Sequence, residues 1–293
     1  MKPAADRPLA AMSFMLLAAS SFATMNTLAR GLRAIPWPWL AFSRGLLGLV
    51  MALAMARARG ASLAVRDQKT MFVRSVFGTT SMLCTFYALT HMPLADATAL
   101  LNTTPLWIAG LAWLTLGERP SRAVLLALGV AFAGVLLIER PGLATGQPAG
   151  LVALLAGATS AVAMVSLRRL SGETPEAVVV HFSAVATTLL GVASAVYSQH
   201  HGAPAAPSPR ALAGVLVMGA MATLGQLAMT RAYALDTAAR VGAVGWMQVL
   251  MALGLDAAVF RRLPDGSVRA GIALLMVAGG LLLRDARRAA LGG

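Results

Sequence analysis

Residues 94–118 read LADATALLNTTPLWIAGLAWLTLGE. The stretch is apolar and long enough to cross a bilayer, which takes roughly 20 helical residues. It nevertheless carries Asn102, Thr103, Thr104 and Pro105 in one half. Proline has no backbone N–H, so the carbonyl of Leu101, four residues earlier, loses its helical partner. In hydrocarbon such a group is tolerated only against protein or beside a water-filled cavity. Polar side chains within a span also tend to face the interior of a bundle. The stretch therefore predicts a cavity at membrane depth lined by Asn102, Thr104 and Trp107, with the other helices arranged around it. The competing reading is that these polar groups bond a neighbouring helix.

Composition agrees with a membrane setting. The chain has 293 residues, of which 58% are hydrophobic and only 12% charged. A soluble domain averages about 25% charged residues. The net charge of +13 does not signal nucleic acid, because the basic residues are dispersed between apolar runs. The lone cysteine, Cys84, excludes a disulfide within the chain and a thiolate metal site. The first apolar run, from Leu9, is long and carries Ser20, Ser21, Thr24, Asn26 and Thr27, so it reads as a first span rather than a cleaved leader.

Hydropathy predicts an all-α integral membrane protein of ten spans, near 9–29, 36–56, 70–90, 94–117, 122–139, 149–167, 175–197, 210–233, 237–259 and 267–284. Most of the 24 basic residues fall on the side of the N terminus and the even-numbered loops. That set includes Lys2, Arg57, Lys69, Arg74, Arg168, Arg169, Arg240 and the tail Arg284, Arg287 and Arg288. The positive-inside rule then puts both termini in the cytoplasm. The basic tail would lie at the anionic leaflet.

The chain also repeats itself. Leu16-Leu17-Ala18 returns as Leu154-Leu155-Ala156, and Tyr87-Ala88-Leu89 as Tyr233-Ala234-Leu235. Ala133-Gly134-Val135-Leu136-Leu137 returns as Ala278-Gly279-Gly280-Leu281-Leu282. The matches keep their order. Two units follow, 1–142 and 149–288, with five spans each. Five is odd, so the second unit enters the membrane inverted. Inverted repeats are a common route to alternating access, with the substrate site at the repeat interface.

These features resemble the drug/metabolite transporter superfamily, EamA type. The resemblance is carried by the proline in the fourth span, by Leu-Gly-Glu-Arg-Pro at 116–120, and by the following apolar span with Gly129 and Gly134. It covers essentially the whole chain and is strongest toward bacterial exporters of amino acids, including aromatic ones. The second half departs from the pattern: Phe260-Arg261-Arg262-Leu263-Pro264 stands where the family often has Glu, and Gln248 or Val249 where it often has proline. The resemblance implies a bacterial inner-membrane carrier with a cavity walled by the first four helices of each half. The fifth and tenth helices would be peripheral.

Several residues are candidates for work in such a cavity. Asn26, Tyr87, Gln226, Trp246 and Gln248 join Asn102, Thr104 and Trp107 as candidate substrate contacts. Gln226 is seven residues before Tyr233, so both share a helical face. Packing is the competing reading for each tryptophan, and helix contact for Asn26. Tyr87 and Tyr233 would sit toward opposite mouths and act as gates, unless they belong to an interfacial belt. Arg44 lies inside the second span, where it either meets a substrate carboxylate or braces carbonyls. His181 reads as structural or titrating. Carboxylates are nearly absent from the spans, with Asp96 and Asp256 near helix ends.

The expectation is a carrier that exports neutral, bulky or aromatic amino acids or related metabolites by facilitated diffusion, as a monomer or homodimer. No cofactor or metal is expected. The alternative is proton-coupled efflux of drugs or quaternary cations, which would want a carboxylate in the cavity. An enzyme would need a nucleophile–base pair or clustered ligands. The four histidines, His91, His181, His200 and His201, supply neither.

Overall fold

The computed structural model describes residues 7–32, 34–142, 148–202, 204–260 and 265–291. Lys2, Arg33, Arg261 and Arg262 from the basic count, and the segment 261–264, lie outside them. The described residues form twelve α-helices and no strand. They are α1 (Pro8–Gly31), α2 (Trp37–Arg59), α3 (Gln68–His91), α4 (Leu94–Leu101), α5 (Thr104–Leu116) and α6 (Arg122–Glu139). Then follow α7 (Pro148–Arg169), α8 (Pro175–His201), α9 (Pro209–Leu235), α10 (Ala238–Val244), α11 (Met247–Phe260) and α12 (Gly266–Leu291). Among the described residues, nine helices are long and apolar enough to cross a membrane, with α4–α5 and α10–α11 each counting as one. The exception is α3, which carries Lys69, Arg74 and seven Ser or Thr residues.

Local chemistry starts and stops these helices. Side chains of Asp67, Ser121, Thr174 and Ser208 accept from the first free N–H groups of α3, α6, α8 and α9. Gly60 and Gly117 end α2 and α5 in the left-handed conformation, at φ 60° and 70°.

The fourth span is broken where Pro105 requires. The Thr104 hydroxyl donates to the Leu101 carbonyl at 2.8 Å, replacing the N–H that proline lacks. Thr103 donates to the Leu100 carbonyl at 2.6 Å, and Asn102 Nδ2 to the Thr98 carbonyl at 2.9 Å. The ninth span breaks at the matching place without a proline. There Gly245 N–H bonds back to Val241 and Gly242, and Gln248 N–H to the Gly245 carbonyl. The chain tightens for one turn at the glycine.

Helices of the first half pack mainly on helices of the second. The partners are α1 with α9, α3 with α7, α2 with α8, and α6 with α12. Contacts of α1 with α10 and α11 are matched by contacts of α7 with α4 and α5. Exchanging corresponding helices of the two halves maps this set onto itself. In lipid there is little hydrophobic drive between helices, so small residues that allow close approach matter. A Cβ on Gly48 would stand 2.9 Å from Ser183 Oγ, and one on Gly45 3.0 Å from Thr187 Oγ1, so α2 and α8 touch there. Gly134 and Gly271 play the same part for α6 and α12. That antiparallel pair is pinned at one end by Ser121 to Asp285 at 2.8 Å, and at the other by Arg140 to Asp265 at 2.6 Å.

The basic count from the sequence includes residues that are not exposed. Arg74 falls within the expected third span. It lies two turns inside α3 and is 1% exposed. Arg168 and Arg240, counted on the same basic side, are buried as well. All three have partners or surroundings that hydropathy does not report.

Candidate functional site

Four helices line a small cavity near their middles. It lies between α2 and α3 of the first half and α8 and α9 of the second. Its polar lining is Arg44, Ser183, Thr223 and Gln226, and its apolar lining includes Met82 and Phe182.

The charge around it is positive. Arg44 donates from one Nη to Met82 Sδ at 3.4 Å, a weak acceptor. Arg74 sits behind the wall. Its guanidinium lies 4.3 Å from the centre of the Phe182 ring and donates to Gln226 Oε1 at 3.1 Å. Its Nε and Nη1 have no hydrogen-bond partner among the described residues. The two arginines are close enough for their charges to repel. Glycine at position 78 makes room, since a Cβ there would overlap Arg74 Nη1. Beside Arg74, Ser75 Oγ and His181 Nδ1 are 2.9 Å apart. None of the carboxylates in ion pairs among the described residues reaches Arg44 or Arg74.

At the end of the bundle that carries Pro8, charges are paired, some of them across the halves. Glu118 accepts from Arg168 Nε at 2.8 Å and from the Ala238 amide at 2.9 Å. Arg240 binds Asp236 at 2.5 Å and Asp285 at 2.9 Å. Arg59 binds Glu176 at 2.7 Å. The Glu173 carboxylate accepts from the Arg66 amide at 2.9 Å.

This architecture is shared with known proteins. The family model for EamA-like transporters matches residues 9–140. The pseudopaline exporter CntI of Pseudomonas aeruginosa is 32% identical over 90% of this chain and 92% of its own length. This chain belongs to the EamA-like transporter family. A riboflavin transporter of Brucella anthropi is 26% identical over 92% of this chain and 97% of its own. A solved crystal structure superposes with a TM-score of 0.82 at 19% identity, over 95% of this chain and 98% of that one, which shows the common fold. This EamA-like chain is accordingly a multi-pass membrane transporter and not an enzyme.

Of the residues singled out by sequence, Arg44 and Gln226 line the cavity. Tyr233, 1% exposed, lies within electrostatic reach of Arg74. A second set meets elsewhere. Trp246 Nε1 donates to the Asn102 carbonyl at 3.0 Å, so the two broken spans touch at their breaks. Trp246 is 2% exposed and lies against Phe132. Thr104 and Trp107 pack toward Gly157 of α7, and Trp107 Nε1 bonds Thr103 Oγ1 at 3.2 Å. Neither Asn102, Thr104 nor Trp107 lines that cavity. Asn26 is exposed near the end of α1, and Gln248 is half-buried at the start of α11. Tyr87 is 40% exposed and stacks on His91 at 4.0 Å. Asp256 belongs to α11, but its side chain lies outside the described residues.

Sequence reasoning missed Arg74, Phe182, Ser183 and Thr223. Arg74 had a signal, since the expected third span already began at residue 70. The other three are ordinary residues for a packed helix, and only the crossing of α2, α3, α8 and α9 brings them together.

Proposed function

We propose that the chain exports small amino-acid-like metabolites, with bulky or aromatic side chains, by alternating access between two inverted five-helix units. In this reading α3 is the tenth span. The observation that carries it is the cavity bounded by two helices from each unit, in a bundle whose helix pairs interchange with the halves. A site on that boundary is shared by both units, so rocking one against the other exposes it to alternate sides. Supporting it, the two broken fourth helices meet at Asn102 and Trp246. The relatives named above include an exporter of a small molecule, which favours the outward direction.

The ion pairs at the N-terminal end act as the closed gate in this scheme, and both termini face the cytoplasm. Tyr87, open, and Tyr233, buried, mark opposite mouths. No carboxylate lines the cavity among the described residues, which favours facilitated diffusion over proton coupling and opposes the quaternary-cation reading. The protein would work in the bacterial inner membrane as a monomer or homodimer.

Counterflow in proteoliposomes tests the proposal. Labelled phenylalanine or another amino acid should accumulate against the same unlabelled amino acid inside, without response to an imposed pH gradient. Strong acceleration by the gradient overturns uncoupled transport. Absence of counterflow for every amino acid overturns the substrate class.

A further inference from the structure

Arg74 combines 1% exposure with two guanidinium nitrogens that have no hydrogen-bond partner among the described residues. A buried charge left without compensation is costly, and in membrane spans such residues mark substrate pathways. Its one strong acceptor, Gln226 Oε1, belongs to a residue that lines the cavity. That contact occupies the acceptor side of the Gln226 amide. The Gln226 Nε2 donors make no hydrogen bond among the described residues and remain for a ligand. Arg44, on the facing helix, lines the same space with only a thioether as partner. The cavity therefore presents donors and positive charge without a resident anion.

We propose that this cavity holds the carboxylate of the transported molecule. Arg44 and Gln226 Nε2 donate to it directly. Arg74 is a positioning residue: it fixes the Gln226 amide and supplies a second positive charge from behind Phe182. A planar guanidinium matches a carboxylate with two parallel N–H donors, which gives both orientation and strength. The assignment rests on the carrier reading above and narrows it to substrates with a free carboxylate.

The test uses the full chain in detergent, followed by thermal melting. L-phenylalanine, L-leucine and succinate are titrated, each beside its amide, with sodium chloride and inorganic phosphate as controls. The expected result is stabilisation by one or more of the carboxylates and by none of the amides or controls. Arg44→Gln should weaken the apparent affinity roughly ten- to a hundredfold, and so should Arg74→Gln, as loss of a charged hydrogen bond implies. If Arg74→Gln does not fold, Arg44→Gln carries the test alone. The assignment is overturned if no carboxylate stabilises, if amides act equally, if only phosphate responds, or if Arg44→Gln binds as tightly as the parent. Counterflow separates the two levels. Equal transport of labelled phenylalanine by parent and Arg44→Gln removes the subsite and leaves the carrier. Carboxylate binding without any counterflow removes the carrier and leaves the subsite.

Discussion

Two groups of arginines divide the molecule. Arg168 and Arg240, 8% and 9% exposed, sit at the end of the bundle nearest Pro8 and are held by Glu118, Asp236 and Asp285. Arg44 and Arg74 sit near the middle of the bundle, and their acceptors are one thioether and one amide oxygen. Residue type is common to both groups, while the company differs. A buried ion whose partner is supplied by the fold is part of the fold. One whose partner is not supplied marks a place where something else binds. The paired group also joins the halves, since Glu118 comes from the first half and Arg168 and Ala238 from the second. Any rocking of the halves has to break those bonds and make them again.

The contrast yields predictions of decreasing size. Glu118→Ala removes the carboxylate that accepts from Arg168 Nε and should cost about 3–5 kcal/mol, as breaking a buried pair does. Denaturant unfolding measures it, and a loss below about 1 kcal/mol would mean that the network is not structural. Gly78→Ala pushes a methyl group into the Arg74 guanidinium. Overpacking of this kind costs about 1–3 kcal/mol. Counterflow should fall further than stability does, and unchanged counterflow would detach Arg74 from transport.

Trp246→Phe keeps an aromatic ring but removes part of the indole and the N–H that satisfies the Asn102 carbonyl, the lost bond alone costing about 1 kcal/mol. Its melting temperature should drop slightly with the fold intact. Should it match the parent, the contact between the broken spans carries no weight. The smallest effect belongs to Asp67, the cap of α3. Bonds from the Thr70 hydroxyl and amide hold its carboxyl below the usual value of 3.8. A lowered folded-state pKa adds stability that is full above about pH 4 and is lost as pH falls further. Asp67→Ala should therefore unfold more easily near neutral pH, and the gap should close in acid. A gap that persists in acid assigns the effect to something other than the carboxylate.

Much of the fold was legible as apolar runs of span length, and Pro105 announced the first helix break. The second break was hidden, because Gly245 ends a helix only through the packing around it. Gln226 and Arg44 were legible as polar residues in apolar stretches. Arg74 is easily passed over although it lies inside the expected third span, because it follows Lys69 by little more than a turn and counts with the basic residues of that helix end. Thr103 and Thr104 show the opposite difficulty. A hydroxyl in a span reads the same whether it faces a cavity or, as here, caps the carbonyls that a proline leaves open.

The direct comparison is between Arg168→Met and Arg74→Met, melted side by side in one detergent without added ligand. Arg168→Met should melt many degrees lower, because Glu118 is left buried without its cation. Arg74→Met should melt close to the parent, because its charge has no carboxylate to lose. Equal falls in the two variants would contradict the division between arginines that hold the fold and arginines that wait for a substrate.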